Sequence, residues 1–265
     1  MKISVVITTY NRPSYIKKSL DGFLNQSHPP DEIVIADDGS SEETASLIES
    51  FKKNATKINI VHIWHEDRGF RLSQIRNRAI SRASGTYLII CDDDVIPGYR
   101  FVQDHLKYSE DGCFIQGHRV LLKDKASKQF TFKDISMSRL FKLLLKGQAH
   151  NISNAFRLPF PIIRVSQGLK GIRSCNMSFF RNDFIAVNGF NEDFEGWGKE
   201  DSELVVRFYK HGLKRKDIKF RAYCIHLYHT EYSRENLGMN IALLDRTISS
   251  NEFFCKNGID KYLMP

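Results

Sequence analysis

The stretch Tyr87-Leu88-Ile89-Ile90-Cys91-Asp92-Asp93-Asp94-Val95-Ile96-Pro97 sets an unbroken apolar run against three consecutive carboxylates. The run has the length and composition of a strand covered on both faces. Three adjacent acids repel one another, so a fold holds them together mainly where a cation sits. In an open α/β sheet, the carboxyl end of a strand is also where ligands bind. Asp92 and Asp94 point the same way if the backbone stays extended. Such a pair suits a hard divalent ion completed by a diphosphate. Read alone, the stretch is equally a solvated acidic turn before a proline.

The flanking sequence decides between these. Residues 3–7 read as a buried strand, followed by the polar turn Thr8-Thr9-Tyr10-Asn11-Arg12-Pro13, where Pro13 opens a helix. Tyr15, Ile16, Leu20, Phe23 and Leu24 recur at helical spacing until His28-Pro29-Pro30. A second strand, residues 32–36, ends in Asp37-Asp38-Gly39-Ser40, with Ser41 placed as a helix cap. A third strand covers residues 58–64, and a basic helix runs from about Leu72 to Ala83. The order β-α-β-α-β-α-β with short connections predicts a parallel sheet with helices on both faces and right-handed crossovers. Three of its four strand ends carry polar, acidic or glycine-containing turns, which together look like a ligand crevice.

Downstream, residues 101–108 read as a helix and 113–122 as one strand, while 123–170 has no sheet pattern. Leu140-Phe141-Lys142-Leu143-Leu144-Leu145-Lys146 is a short basic, apolar helix that either packs on the domain or meets a membrane or lipid-linked acceptor. Residues 173–180 return as a strand. Gly196-Trp197-Gly198-Lys199-Glu200-Asp201 leads into a helix ending at His211-Gly212. A last strand, 220–226, leads to His229, and a final helix is expected over 237–256.

The chain of 265 residues carries a net charge of +8, which points to an anionic partner: a phosphorylated ligand, an acidic membrane or a nucleic acid. The arginine-rich helix (Arg71, Arg76, Arg78, Arg82) lacks the interleaved aromatics of a single-strand platform, which argues against nucleic acid. Five scattered cysteines without a CxxC pair argue against a disulfide framework or structural zinc, and fit reduced cytosol. No signal-peptide pattern follows Met1-Lys2, and no run of 18 apolar residues is present. A cytoplasmic protein, at most peripheral at the inner face of the membrane, is expected.

The turns at 8–13, 37–40, 92–94 and 196–201, together with Asp67-Arg68-Gly69-Phe70-Arg71-Leu72-Ser73 and Arg76-Asn77, resemble the inverting glycosyltransferases of family 2 with the GT-A fold. Gly196-Trp197-Gly198-Lys199-Glu200-Asp201 is similar to the Gly-Trp-Gly-Gly-Glu-Asp segment of β-1,4-galactosyltransferases and bacterial chondroitin-type polymerases. The resemblance covers roughly residues 3–97 and 173–236 and leaves 123–170 unassigned.

It implies one GT-A domain over 1–265, with a single Rossmann-like sheet. Residues 1–97 form the nucleotide-sugar half, 98–236 the acceptor and catalytic half with an insertion at 123–170, and 237–265 a C-terminal helix. Uracil needs a flat apolar contact and an acceptor for its N3–H, which Tyr10 and Asp38 supply. Thr8, Asn11 and Arg12 lie in the same nucleotide-sugar-binding turn, and Arg71 and Arg76 are candidates for phosphate or uracil. By the resemblance, Asp94 binds Mn2+ or Mg2+ directly and Asp92 contacts the ribose, or the metal through water. Asp93 is counted with the nucleotide-sugar-binding residues, with facing the core or capping the next helix as its alternative. Of His226 and His229, the resemblance points to His229 as the further metal ligand, with His226 a buried hydrogen-bonding histidine. Trp197 forms a wall against the sugar. Asp201 is the implied base and Glu200 binds a sugar hydroxyl, though the two roles can be exchanged. Lys199 stands where the galactosyltransferase pattern has glycine, so sugar specificity does not carry over.

The expected activity is metal-dependent, inverting transfer from a UDP-sugar (UDP-Gal, UDP-GalNAc, UDP-GlcNAc or UDP-Glc) to a glycan or lipid-linked glycan, in lipopolysaccharide, O-antigen or capsule synthesis. A nucleotidyltransferase and a non-catalytic nucleotide- or glycan-binding module are the alternatives. The first expects a glycine-rich phosphate loop that residues 8–13 lack, and the second would not need the Glu200/Asp201 pair.

Overall fold

A computed structural model describes residues 1–230 and 232–263. The first half forms as its periodicity dictates. β1 (Ile3–Thr9), β2 (Glu32–Asp37), β3 (Asn59–Trp64) and β4 (Tyr87–Asp92) alternate with α1 (Pro13–Leu24), α2 (Glu42–Asn54) and α3 (Leu72–Arg82). The four strands are parallel in the order β3-β2-β1-β4. Their register sets Thr8 against Asp92 and Asp37 against Trp64, so all four polar ends open on one edge. Apolar side chains of β1, β2 and β4 pack on both faces, one against α3 and the other against α1 and α2.

The second half departs from a simple wound sheet. β5 (Val95–Pro97), α4 (Phe101–Tyr108), β6 (Cys113–Gln116), β7 (Arg119–Leu122), α5 (Asp124–Gln129), α6 (Met137–Leu145), β8 (Ala149–His150) and β9 (Ile162–Ser166) follow β4. Then come β10 (Met177–Phe180), α7 (Arg181–Ala186), α8 (Glu200–Lys210), β11 (Lys214–Lys219), β12 (Cys224–His226) and α9 (Leu237–Ser249). The large sheet extends from β4 through β10, β6, β11 and β9, and becomes mixed because β10 runs antiparallel to both neighbours. A second, four-stranded sheet has the order β5-β12-β7-β8. The single sheet expected from sequence is thus one large sheet plus a small one.

The expected strand over 113–122 is two strands in different sheets. Asn176 explains the break: its Nδ2 donates to the His118 and Ala222 carbonyls, at 3.0 and 2.8 Å. Gly117 passes so close that a Cβ there would lie 2.2 Å from Asn176 Oδ1. β11 escapes a hydrophobicity reading because its sequence is Lys-Arg-Lys-Asp-Ile-Lys. Arg215 and Lys216 are nevertheless buried, each neutralised by an acid, Asp217 and Glu110. Residues 123–155 build α5, α6 and β8 around a separate small core that includes Leu140, Leu143 and Ile225. The last helix ends at Ser249, short of the expected 256. Among the described residues no helix is long and apolar enough to cross a membrane.

Candidate active site

The three acids part company because the backbone does not stay extended. β4 ends at Asp92, the chain turns at Asp93-Asp94, and it enters the small sheet as β5. Asp92 Oδ1 accepts from Thr8 Oγ1 and from Arg76 Nη2, both at 2.8 Å. Asp93 is buried and accepts from Thr9 Oγ1 at 2.7 Å, while still lining the cavity. Burial, followed by the charge of Asp94, pushes Asp93 well above the usual carboxylate range. Asp94 faces two histidines: Oδ1 lies 3.5 Å from His226 Nε2, and Oδ2 lies 3.1 Å from His229 Nε2.

Ligand atoms of Asp94, His226 and His229 all lie within 4.8 Å of one another. Asp94 Oδ1 is buried without a hydrogen-bond partner, as an atom reserved for a cation would be. Burial holds His226 below its ordinary value, which keeps an imidazole lone pair free. This donor set of one carboxylate and two imidazoles suits a divalent first-row transition ion such as Mn2+. The geometry alters the expected set in two ways. Asp92 is turned away towards Arg76, and His226, expected to be structural, joins His229.

At the nucleotide end, Asp38 Oδ1 pairs with buried His65 Nε2 at 2.6 Å, and Oδ2 accepts the Arg71 backbone N–H at 3.0 Å. Tyr10 donates its hydroxyl to Asp67 at 2.8 Å, which fixes the ring at the cavity wall and raises the phenol's pKa. Gly39 makes this wall possible: with φ of +97°, a Cβ there would lie 2.6 Å from the Asp67 backbone. Asn11 lies off the cavity. Its backbone N–H donates to Ser40 Oγ and its Oδ1 accepts the Ser41 N–H, both at 2.8 Å, so it ties two turns together. Arg12 lies 3.6 Å from Asp93 and 3.5 Å from Asp94, and its guanidinium covers the Tyr232 ring. The Arg71 guanidinium is held by Gln74 and the Glu66 carbonyl, at a smaller adjoining recess of about 380 Å3.

Arg76 is fully buried under the floor of the site. It bonds Asp92 and approaches Glu200 to 3.7 Å. Glu200 and Asp201 begin α8, where Lys199 takes a left-handed φ of +80° that turns the chain into the helix. Burial, and then Asp201, push Glu200 up to about 7, and its Oε2 has no hydrogen-bond partner. Burial also raises Asp201, whose Oδ1 accepts the Ser202 N–H at 2.6 Å. Trp197 lies between the two glycines of its turn, with the Arg234 guanidinium 5.2 Å from the ring centre. The Gly196 N–H donates to the Phe70 carbonyl at 3.0 Å and joins this segment to the nucleotide end.

All three constellations line one cavity of about 940 Å3. Sequence reasoning missed His65, Arg119, Arg173 and Tyr232, and gave Phe70 no role although it lies in the quoted 67–73 motif. His65 was accessible in principle, because the β2–β3 register that places Asp37 beside Trp64 places Asp38 beside His65. The others come from chain far apart in sequence and carried no spacing signal.

A wound sheet that opens on an acid-lined cavity with a metal-competent turn after its fourth strand is the GT-A architecture. The family model for glycosyl transferase family 2 matches residues 4–184, and one described as the N-terminal domain of galactosyltransferase matches 156–230. The chain belongs to glycosyl transferase family 2. It is 29% identical over 222 residues to validoxylamine A glucosyltransferase from Streptomyces hygroscopicus subsp. limoneus, covering 80% of this chain and 48% of that protein. It is 24% identical over 232 residues to chondroitin synthase from Escherichia coli, covering 82% and 33%. The chain therefore spans about half, or less, of these relatives' length. The fold also matches S. aureus TarS 1-349 in complex with UDP-GlcNAc, with a TM-score of 0.67, 17% identity, and coverage of 99% of this chain and 70% of that one.

Proposed function

We propose that the protein transfers a hexose or N-acetylhexosamine from a UDP-sugar to a glycan hydroxyl, with inversion and with Mn2+ or Mg2+. The observation that carries this reading is the convergence in one cavity of the Asp94–His226–His229 group, the Asp38–His65 pair and the Glu200–Asp201 pair. The UDP-GlcNAc complex of TarS supports a uridine donor, and the glucosyltransferase relative supports transfer of a hexose. UDP-Gal, UDP-GalNAc, UDP-GlcNAc and UDP-Glc are the donors to screen.

Tyr10 supplies the flat contact for uracil. Asp38, oriented by His65 and the Arg71 N–H, keeps lone pairs for the N3–H. Asp92, braced by Thr8 and Arg76, is placed to accept a ribose hydroxyl. Asp94, His226 and His229 would hold the divalent ion, which when bound neutralises charge on the departing diphosphate as a Lewis acid. Asp201, whose Oδ1 is held by the Ser202 N–H, takes the proton of the attacking hydroxyl. Glu200 at about 7 shares a proton with a sugar hydroxyl, and Trp197 walls the sugar ring.

The acceptor is a glycan or lipid-linked glycan of bacterial lipopolysaccharide, O-antigen or capsule synthesis, met at the inner face of the membrane. Residues 123–146 hold seven basic and two acidic side chains, five of the eight net charges of the chain. On α6, Leu140 and Leu143 face the core, while Met137, Phe141, Leu144 and Leu145 are exposed next to Arg139, Lys142 and Lys146. An exposed apolar stripe beside a basic one suits an anionic bilayer surface.

Calorimetry of UDP binding tests the core of this reading, with Mn2+ and then with EDTA, on the wild type and on Asp94→Asn. Tight binding only with metal, lost in the variant, is expected. Metal-independent UDP binding, or none, overturns it.

A further inference from the structure

Two guanidiniums in the cavity have no part in the reading above. Arg119 opens β7, and Arg173 directly precedes the 3-10 turn Ser174–Asn176; both line the cavity. The remaining arginines close to them are neutralised: Arg12 by Asp93 and Asp94, Arg76 by Asp92 and Glu200, Arg215 by Asp217. Among the described residues, neither Arg119 nor Arg173 makes an ion pair with a carboxylate. Among the described residues the Arg119 guanidinium donates one weak hydrogen bond, to Cys175 Sγ at 3.7 Å, and the Arg173 guanidinium donates none.

Arg119 is half-buried and Arg173 exposed along the cavity, and without a carboxylate bonded to either the two like charges repel each other. Burial and Arg119 together hold Arg173 below its ordinary value. The same logic that makes three adjacent acids point to a cation makes this pair point to an anion. Guanidinium forks match the planar edges of phosphate and carboxylate.

The pair's position identifies which substrate carries that anion. Arg173, the adjoining Ser174 and Cys175, and Asp201 line the same cavity, Arg119 contacts Cys175 there, and the Asp201 charge acts on Arg173. A molecule whose hydroxyl reaches Asp201 therefore lies beside Arg173. We propose that Arg119 and Arg173 form an oxyanion subsite for a phosphate or carboxylate borne by the acceptor, close to the hydroxyl that reacts. This rests on Asp201 being the base of the transfer proposed above. It makes the preferred acceptor an acidic glycan, such as a phosphosugar- or uronate-containing one, and gives the protein's positive charge a use inside the site as well as on its surface.

The test uses the dead-end complex of the full chain with saturating UDP and Mn2+, so neither the donor sugar nor the natural acceptor need be known. Dissociation constants are measured for glucose, glucose 6-phosphate and glucuronate, on the wild type, Arg119→Gln, Arg173→Gln, Arg173→Lys and the double Gln variant. At least one of the two anionic sugars should bind about ten- to a hundredfold more tightly than glucose, from two charge-assisted contacts. Which one does so distinguishes phosphate from carboxylate. Each Gln variant should erase most of the preference, Arg173→Lys should restore part of it, and UDP affinity should stay within about twofold of the wild type. Equal binding of neutral and anionic sugars by the UDP complex overturns the proposal, as does a preference that survives in the double variant. A Gln variant that weakens UDP instead assigns the arginines to the diphosphate and also overturns it. Failure of UDP to bind the wild type is a different result, since it removes the donor reading on which the subsite rests.

Discussion

Replacing Glu200 with glutamine should make the protein more stable while removing transfer. The burial that raises Glu200 from an ordinary 4.5 to about 7 makes its charged form costly in the folded state. At about 1.4 kcal/mol per tenfold, that displacement amounts to roughly 3 kcal/mol. The folded protein keeps a proton that the unfolded chain releases. This group's contribution is therefore most favourable below pH 4.5, is lost as pH rises, and is fully lost above 7. The glutamine keeps the shape and has no charge to bury. The variant should exceed the parent by under about 1 kcal/mol at pH 5 and by about 3 kcal/mol at pH 8. The parent's own profile hides this effect. Burial pushes His105 down to about 4, so the unfolded chain takes a proton near 6.5 that the folded protein refuses, and stability falls as pH drops from 6.5 to 4. The two slopes oppose each other, and only the difference between variant and parent isolates Glu200. Urea unfolding in EDTA, followed by Trp64 and Trp197 fluorescence from pH 5 to 8, gives that difference. A variant no more stable than the parent at pH 8, or a gap equal at pH 5 and 8, would refute the buried, high-pKa carboxylate.

Three further outcomes are expected. Arg207→Met strands the buried Glu203 carboxylate, which Arg207 Nη2 meets at 2.6 Å, and should cost about 3–5 kcal/mol in the same urea assay. Gly39→Ala forces a side chain into a left-handed position against the Asp67 backbone; it should lower stability by about 1–3 kcal/mol and weaken UDP binding by calorimetry. Phe141→Glu with Leu145→Glu should abolish sedimentation with vesicles rich in anionic lipid and leave UDP affinity unchanged, because both side chains are exposed and lie outside the cavity.

The wound half of the fold was legible because each of its elements obeys a local rule. The apolar runs of β1, β2 and β4 are buried on both faces, and the polar ends are lined up by register. The cavity followed from that geometry, and the chain places Thr8, Tyr10, Asp38, Asp94, Trp197, Glu200 and Asp201 along it. Legibility failed where packing between distant segments outweighs local pattern. β11 is a charged strand whose Lys216 is neutralised by remote Glu110, and the break after β6 is imposed by Asn176, some sixty residues on. The expectation that Asp92 and Asp94 point the same way failed for a similar reason. Nothing in Asp92-Asp93-Asp94 announces that the chain leaves one sheet for another between them, which sends Asp92 to Arg76 and Asp94 to the histidines.

That departure has a consequence for how this molecule can diversify. The metal-competent group straddles a seam: Asp94 sits where the chain crosses to the small sheet, and His226 ends its inner strand β12. β5 and β12 carry site residues into the seam, while β8, α5 and α6 lie further out. α5 is tied to the seam, its Ser127 Oγ accepting the Tyr228 N–H at 2.7 Å between the two histidines. The exposed face of α6, by contrast, lies off the cavity and can change without disturbing the seam's register. New acceptors and new docking surfaces can therefore be acquired there by drift, while the nucleotide-handling half stays under separate constraint.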